Sequence, residues 1–452
     1  MTEMSTAVIP AVRRSWVDRL MALATEVRAG EGAAALLLAL NVFLLLGSYY
    51  LLKTVREALI LSESGAEVKS YASAGQALLL LFVIPAYGAL ASRMNRIKLI
   101  TWTSLFFAGN LVLFYLAGQA GIREGVVFYL WLGIYNNFVI AQFWAFANDI
   151  YTEDQGKRLF PVIGIGSSLG AWLGAEAAKY SIGIFGPYPT MLVVAVVLVL
   201  CVLMTRVSNN WAVSGSAAQQ RSAAKPLSSD GGFELIFHDR YLLLIATLVL
   251  LLNIVNSTGE FLLGKLVTAE AIKHVGAGAA LAAARGKYIG QFYGEFFGAV
   301  NLLGLLMQVF LASRVLKYLG VRGALFILPI IAFGAYGLLL VYPALAVVRM
   351  VKILENSTDY SIQSTTKQAL FLLTSREAKY KAKTAIDTFV VRMGDMLQAA
   401  LVFTGTKFAL GLQSFAAVTM VMTVLWLTVA GLIFKEHLAL EARQRKIHGP
   451  SV

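Results

Sequence analysis

The sequence predicts an all-α polytopic membrane protein whose twelve transmembrane helices form two parallel six-helix repeats. Three observations lead there. Of 452 residues, 58% are hydrophobic and only 14% charged, whereas a soluble domain carries about 25% charge. Apolar runs of about 20 residues, the length of a bilayer crossing, recur along the whole chain. Short segments also return at one spacing. LASRMNRIKL begins at Leu90 and LASRVLKYLG at Leu311, while TEDQGK begins at Thr152 and TSREAK at Thr374. Offsets of 221 and 222 residues argue for a duplicated unit. An even number of helices per unit makes the two copies parallel, as in the major facilitator architecture.

Taken in order, residues 1–33 read as a cytoplasmic segment. Trp16, Leu20, Leu23 and Val27 fall on one face of a short interfacial helix. No apolar core of a cleavable signal peptide precedes Ala33. Residues 34–206 form the first six-helix bundle, with spans near 34–60, 72–92, 99–118, 126–148, 159–184 and 188–206. Residues 207–240 are a cytoplasmic linker, since NNWAVSGSAAQQRSAAKPLSSDGG is polar and rich in Ser, Ala and Gly. Residues 241–434 form the second bundle, with spans near 241–264, 287–313, 323–341, 344–373, 382–408 and 414–434. A cytoplasmic tail, 435–452, follows.

Charge sets orientation. The net charge of +13 does not form one patch, which argues against a nucleic-acid partner. The basic residues recur in short clusters between spans, 24 on the side of the termini and linker against 7 on the other. Positive residues mark the cytoplasmic face, so both termini are expected inside and the lipid bilayer of a cell inner membrane is the expected location. Lys69, Arg285 and Lys287 count here among the loop residues of the opposite side. Cys201 is the single cysteine, so no intrachain disulfide forms.

Several charges lie inside the spans, where each costs roughly 2.5–3.5 kcal/mol at a helix centre and normally faces water or a partner. In LGSYYLLKTVREALIL, Lys53, Arg56 and Glu57 share a helical face, with Tyr49 and Tyr50 one turn earlier. Lys53 and Glu57 could neutralise one another, which leaves Arg56 over. In the tenth span, Lys352, Asn356, Asp359 and Gln363 form a polar stripe, flanked by Arg349 and Lys367. Glu176 and Lys179 are spaced to pair on one helix. Clustered Lys and Arg around one cavity suit a multiply charged anion such as a phosphate chain. Tyr49, Tyr50, Tyr135, Phe143 and Trp144 offer faces for a planar base. Gly166, Gly170 and Gly174 show the spacing of close helix packing; a phosphate loop would need a GK[ST] that is missing. No nucleophile–base pair or cofactor motif is evident, so neither an enzyme nor a cofactor is expected.

Three blocks resemble the nucleotide translocases of plastids and intracellular bacteria, the ATP/ADP antiporter type. YYLLKTVREALILS is similar to the family's Tyr-x-x-Leu-Arg-x-x-Lys-Asp pattern, with Lys53, Arg56 and Glu57 at the basic, basic and acidic places. FWAFANDIYTEDQGKRLFPVIGIGSSLGA is similar to its Phe-Trp-x-Phe-Ala-Asn block. DYSIQSTTKQALFLLTSREAKYKAKTAID is similar to its Lys-Tyr-Ser-x6-Lys-Glu and Lys-x-Lys-x-Lys-Ala-Ala-Ile-Asp segments; Lys367, Lys381, Lys383 and Asp387 fall on matching places. The resemblance implies a twelve-helix carrier that exchanges ATP for ADP plus phosphate or takes up nucleotides with protons. The chain departs from the family in GIYNNFVIAQ, which carries no acid, at Gln368 after the lysine, and at Gly394-Asp395 in place of Gly-Lys. The expected phosphate grip is Lys53 and Arg56 from one half and Lys367 and Arg392 from the other, with Tyr49, Glu57, Lys352 and Asp359 beside them. Glu260, Glu295 and Asp395 are the candidates for proton coupling. A proton-coupled carrier of another organic anion, or a non-transporting scaffold or sensor that kept the fold, stands as the alternative.

Overall fold

The computed structural model describes residues 31–212 and 232–448 apart from 92, 152, 376 and 377, together with 16, 18, 27 and 28. Most of the expected interfacial helix, most of the linker and the last four residues lie outside the described residues. Six helices form the first half: α1 (Gly32–Glu63), α2 (Gly65–Ala91), α3 (Arg96–Gln119), α4 (Gly125–Ile150), α5 (Glu153–Phe185) and α6 (Pro187–Ala212). After a short helix, Gly232–His238, the second half opens with α7 (Arg240–Val275). Helix α8 runs from Ala282–Met307 through a π turn, Gln308–Ala312, into Ser313–Ala324. Helix α9 (Ile327–Val341) is followed by α10, in which Leu345–Thr358 and Ser364–Leu370 flank the π turn Asp359–Gln363. Helix α11 starts with short segments over 378–390 and continues as Val391–Lys407; α12 (Leu412–His448) ends the fold. Among the described residues nine helices are long and apolar enough to cross a membrane. The other three crossings are the short apolar α9 and the charged, π-interrupted α10 and α11.

Of the repeat landmarks, Leu90 lies near the end of α2 and Leu311 in the π turn within α8, while residues 153–157 open α5 and Thr374 precedes α11. Alternate turns gather at two ends. At the linker end, Arg158 clasps Glu31 with both guanidinium nitrogens (2.9 and 3.0 Å), Arg96 meets Asp149, and Arg322 faces Glu441 at 3.7 Å. At the hairpin end, Glu63 accepts from the Gly125 N–H (2.8 Å) and from the Tyr188 hydroxyl (3.4 Å).

Within the first half, α5 presses its glycine row against α1. A Cβ on Gly166, Gly170 or Gly174 would strike the backbone of Ala39, Phe43 or Gly47 respectively. Without a hydrophobic drive between helices in lipid, such backbone approach supplies the packing energy. Aromatic rings fill the space between α3 and α4, where Trp131 stacks on Tyr135 and Phe128 at centroid distances of 5.6 and 5.4 Å. Large apolar side chains such as Phe82, Trp102 and Phe106 point outward, as helices bathed in lipid require.

The halves are joined mainly at mid-depth and at the hairpin end. Gln398 donates to Ser70 (3.3 Å), Asn301 to the Ala171 carbonyl (3.2 Å) and Arg285 to the Ser62 carbonyl (3.4 Å). Lys265 pairs with Glu67 at 3.0 Å. Lys179 reaches Glu295 on α8 at 3.1 Å, and Arg349 meets the same carboxylate at 2.9 Å. Lys179 therefore forms its ion pair across the halves and not back along α5 with Glu176.

Two predictions follow from this packing. Gly170→Val forces α1 and α5 apart, and overpacking of this kind costs about 1–3 kcal/mol; the apparent melting temperature of the detergent-purified protein should fall. The second concerns Glu124, which precedes α4 at 4% exposure. Burial, with the Glu63 charge adding, pushes its carboxyl up to about 7. The native state then binds more protons than the unfolded chain between about pH 4.5 and 7, so this group's contribution to stability falls as pH rises through that window. Melting curves from pH 4 to 8 should show a pH-dependent loss that Glu124→Gln flattens.

Candidate functional site: a cationic cavity between the halves

The α1–α2 hairpin builds one wall of the site. The turn between the helices is tight, with Ser64 as the only intervening residue and Gly65 at φ +84°, a conformation glycine adopts without penalty. Folding back there sets Glu57, two turns before the bend, opposite Lys69, one turn after it. Glu57 is fully buried. It accepts from Arg56 Nε at 3.1 Å and Nη2 at 2.5 Å, and forms an ion pair with Lys69 Nζ at 2.6 Å. One carboxylate thus serves two cations. Arg56 also lies 4.5 Å from the ring centre of Tyr129 on α4.

Lys53, one turn earlier, takes no part in that cluster. Its Nζ sits 4.2 Å from the Phe297 ring centre and 5.1 Å from that of Tyr50. Among the described residues no carboxylate is within salt-bridge reach of it. The expected Lys53–Glu57 neutralisation is therefore replaced by Arg56–Glu57–Lys69, because Lys69 approaches from the neighbouring helix.

The opposite wall comes from α7 and α11. Arg392 pairs with Asp395 at 3.1 Å, one turn along α11. Asp395 also accepts from Asn253 (3.0 Å) and Ser257 (3.4 Å). Glu260 accepts from Asn356 at 2.9 Å. Between these walls lies a cavity of about 300 Å³ whose lining includes Tyr49, Lys53, Arg56, Lys69, Glu260 and Arg392, at the low end of small-molecule sites. Gln76, Asn136, Asn137, Asn256 and Gln398 add neutral amides, and Tyr129, Phe261, Phe297 and Tyr360 add rings.

Not every expected residue reaches this cavity. Lys352 is 1% exposed and lies behind the wall, donating to the Asn256 carbonyl (3.2 Å), Asn256 Oδ1 (2.6 Å) and Glu355 (3.1 Å). The polar stripe of α10 thus clamps that helix to α7. Asp359 and Lys367 face each other at 3.9 Å away from the cavity lining. Glu295 sits outside the cavity in its pair with Lys179 and Arg349. Tyr135, expected as a base-stacking face, is buried among Phe107 and Trp131. Lys69 was missed because the apolar run of α2 starts at Tyr71; the helix itself begins at Gly65. The signal available was the glycine bend with charges spaced on either side of it. Arg285 and Lys287, likewise read as loop residues, belong to α8.

Two six-helix halves closing on a cationic central cavity define a polytopic membrane protein of the major-facilitator-like fold. Solved structures agree on that fold. The nucleoside transporter NupG superposes with TM-score 0.62 at 12% identity, covering 90% of this chain and 98% of that one. A bacterial homologue of the iron transporter ferroportin, in its inward-facing state, gives 0.61 at 13%, covering 89% and 98%. In sequence the chain resembles the TLC ATP/ADP transporter family, whose profile matches residues 124–340. "ADP,ATP carrier protein 4" of Rickettsia bellii is 24% identical over 315 residues, 59% of this chain and 57% of the relative. "ADP,ATP carrier protein 1" of Chlamydia trachomatis is 23% identical over 372 residues, 71% and 66%. The chain spans less than two thirds of the length of these relatives.

Glu57→Gln leaves Arg56 and Lys69 in the protein interior with no carboxylate between them. Removing one member of a buried ion cluster typically costs about 3–5 kcal/mol. The melting temperature of the purified variant is expected to drop well below that of Lys69→Met, in which Glu57 keeps Arg56; equal values would show that Glu57 neutralises neither cation.

Proposed function

We propose that the chain is a secondary active transporter that moves nucleotides, by ATP/ADP-type exchange or by uptake, through alternating access of the central cavity. The observation that carries this reading is the charge of the cavity wall. Arg56 and Lys69 share one carboxylate and, among the described residues, none pairs with Lys53, so the empty site holds more positive than negative charge. An anion entering it supplies the missing counter-charge, and charge-assisted hydrogen bonds to phosphate oxygens are the strong kind. The names of the relatives, ADP and ATP carriers, support a nucleotide as that anion. The contribution of both halves to the wall supports a rocking cycle about the site.

In this reading Lys53, Arg56 and Lys69 bind phosphate from the first half and Arg392 from the second, while Tyr49 and Tyr129 offer ring faces. Glu260 and Asp395, both on the wall, are the carboxylates positioned to exchange a proton or respond to co-transported phosphate. Lys352 and Glu295 act outside the cavity as helix clamps, and Asp359 and Lys367 pair with each other along α10. The chain sits in a cell inner membrane with both termini in the cytoplasm, the orientation its basic residues favour.

The test is thermal stabilisation of the purified protein across ATP, ADP, GTP, inorganic phosphate and unrelated organic anions, since a ligand of the native state raises apparent stability by mass action. Nucleotides should shift the melting temperature, and Arg56→Gln should abolish the shift while leaving the unliganded protein folded. Counterflow of labelled ADP against ATP in liposomes then checks transport. A shift confined to another anion would replace the nucleotide; no flux with any ligand would leave a scaffold or sensor.

A further inference from the structure

Lys53 is a wall cation whose contacts cross the cavity, as do those of Lys69, whose Nζ lies 5.5 Å from the Tyr293 ring centre. Lys53 stands on α1, in the first half, yet its ammonium group lies over Phe297 of α8, in the second. Arg56, one turn on, leans the other way, over Tyr129 of its own half. The two cations that a phosphate group would need together are thus drawn to rings on opposite halves. Phe297 is 3% exposed. Its ring is held edge-on by Tyr50 (6.1 Å) and packed against Tyr293 and Phe296 (5.5 and 5.4 Å), so it cannot follow Lys53 into the cavity.

We propose that Phe297 is a positioning residue that parks Lys53 in the empty cavity, and that an anion binds by drawing Lys53 off this ring to join Arg56. Binding then breaks a tie between α1 and α8, so ligand occupancy is linked to the contact between the halves. This inference rests on the reading of the cavity as an anion site. A ring face attracts a partly desolvated ammonium strongly enough to matter, yet a phosphate oxygen attracts it more strongly. The parked state is therefore stable without ligand and yields to one.

The test measures ATP affinity of the full-length detergent-purified protein in wild type, Phe297→Leu, Phe297→Trp, Lys53→Met and the double variant Lys53→Met/Phe297→Leu. Phe297→Leu removes the competing ring face and should tighten ATP binding by about 2- to 30-fold. Phe297→Trp keeps a ring face and should not tighten ATP binding, which separates the effect from a change of packing. In the Lys53→Met background Phe297→Leu should change nothing. Weaker or unaltered binding in Phe297→Leu, or the same tightening without Lys53, overturns the proposal.

A ligand-free measurement separates this from failure of the nucleotide reading. Ala120 and Ala280, exposed in hairpin-end turns of opposite halves, take spin labels as cysteines in a Cys201→Ser background. Phe297→Leu and Lys53→Met should shift the label–label distance distribution alike, and the double variant no further. If wild type binds no nucleotide but these shifts coincide, the ring contact stands and the substrate assignment falls. Absent or additive shifts overturn the contact itself.

Discussion

The site depends on an ionised carboxylate kept between two cations in the membrane interior. Glu57 is fully buried, yet three donor atoms of Arg56 and Lys69 surround it. Alone, any of these charges would be expelled from a low-dielectric interior; together they satisfy one another while leaving a net positive field. The geometry needs a bend tight enough to bring α2 back along α1 within one turn of Lys69. Ser64 and Gly65 supply it. Everything on the first wall, from Tyr49 to Gln76, takes its place from that hairpin.

The second half treats its charges differently. Lys352 is enclosed by Asn256 and Glu355, Glu260 by Asn356, and Asp395 by Asn253, Ser257 and Arg392. These groups neutralise one another and fasten α7 to α10 and α11. The π turns of α10 and α11 lie in the same region, where a widened helical turn re-aims side chains at a functional surface. The cavity is therefore asymmetric, with surplus positive charge on one wall and a neutralised, strongly cross-linked wall facing it. Asymmetry of this sort distinguishes the halves chemically.

Contacts between the halves follow from the same distribution. Asn301 of α8 donates into the α5 backbone, and charged residues near the hairpin end form Lys265–Glu67 and Lys179–Glu295. These polar links sit beside an apolar core that continues from Tyr50, Ala171 and Ala175 of the first half to Ile289, Tyr293 and Phe297 of the second.

Fold class, repeat and the presence of buried charge were legible in the sequence because each is a one-dimensional property. Apolar run length reports the bilayer, the 221- and 222-residue offsets report the duplication, and a lysine within an apolar run must face something polar. The glycine row of α5 was equally readable, since small residues four apart have few other uses inside a membrane. Partner choice was not. Lys53 was spaced to meet Glu57 along α1, but Lys69 came closer from α2; Lys179 was spaced to meet Glu176, but Glu295 stood across the interface. Lys352 and Asp359 looked like cavity residues because a polar stripe does not say whether it faces water or another helix. Helical periodicity fixes which side chains share a face, and only the packing of twelve helices decides what that face meets.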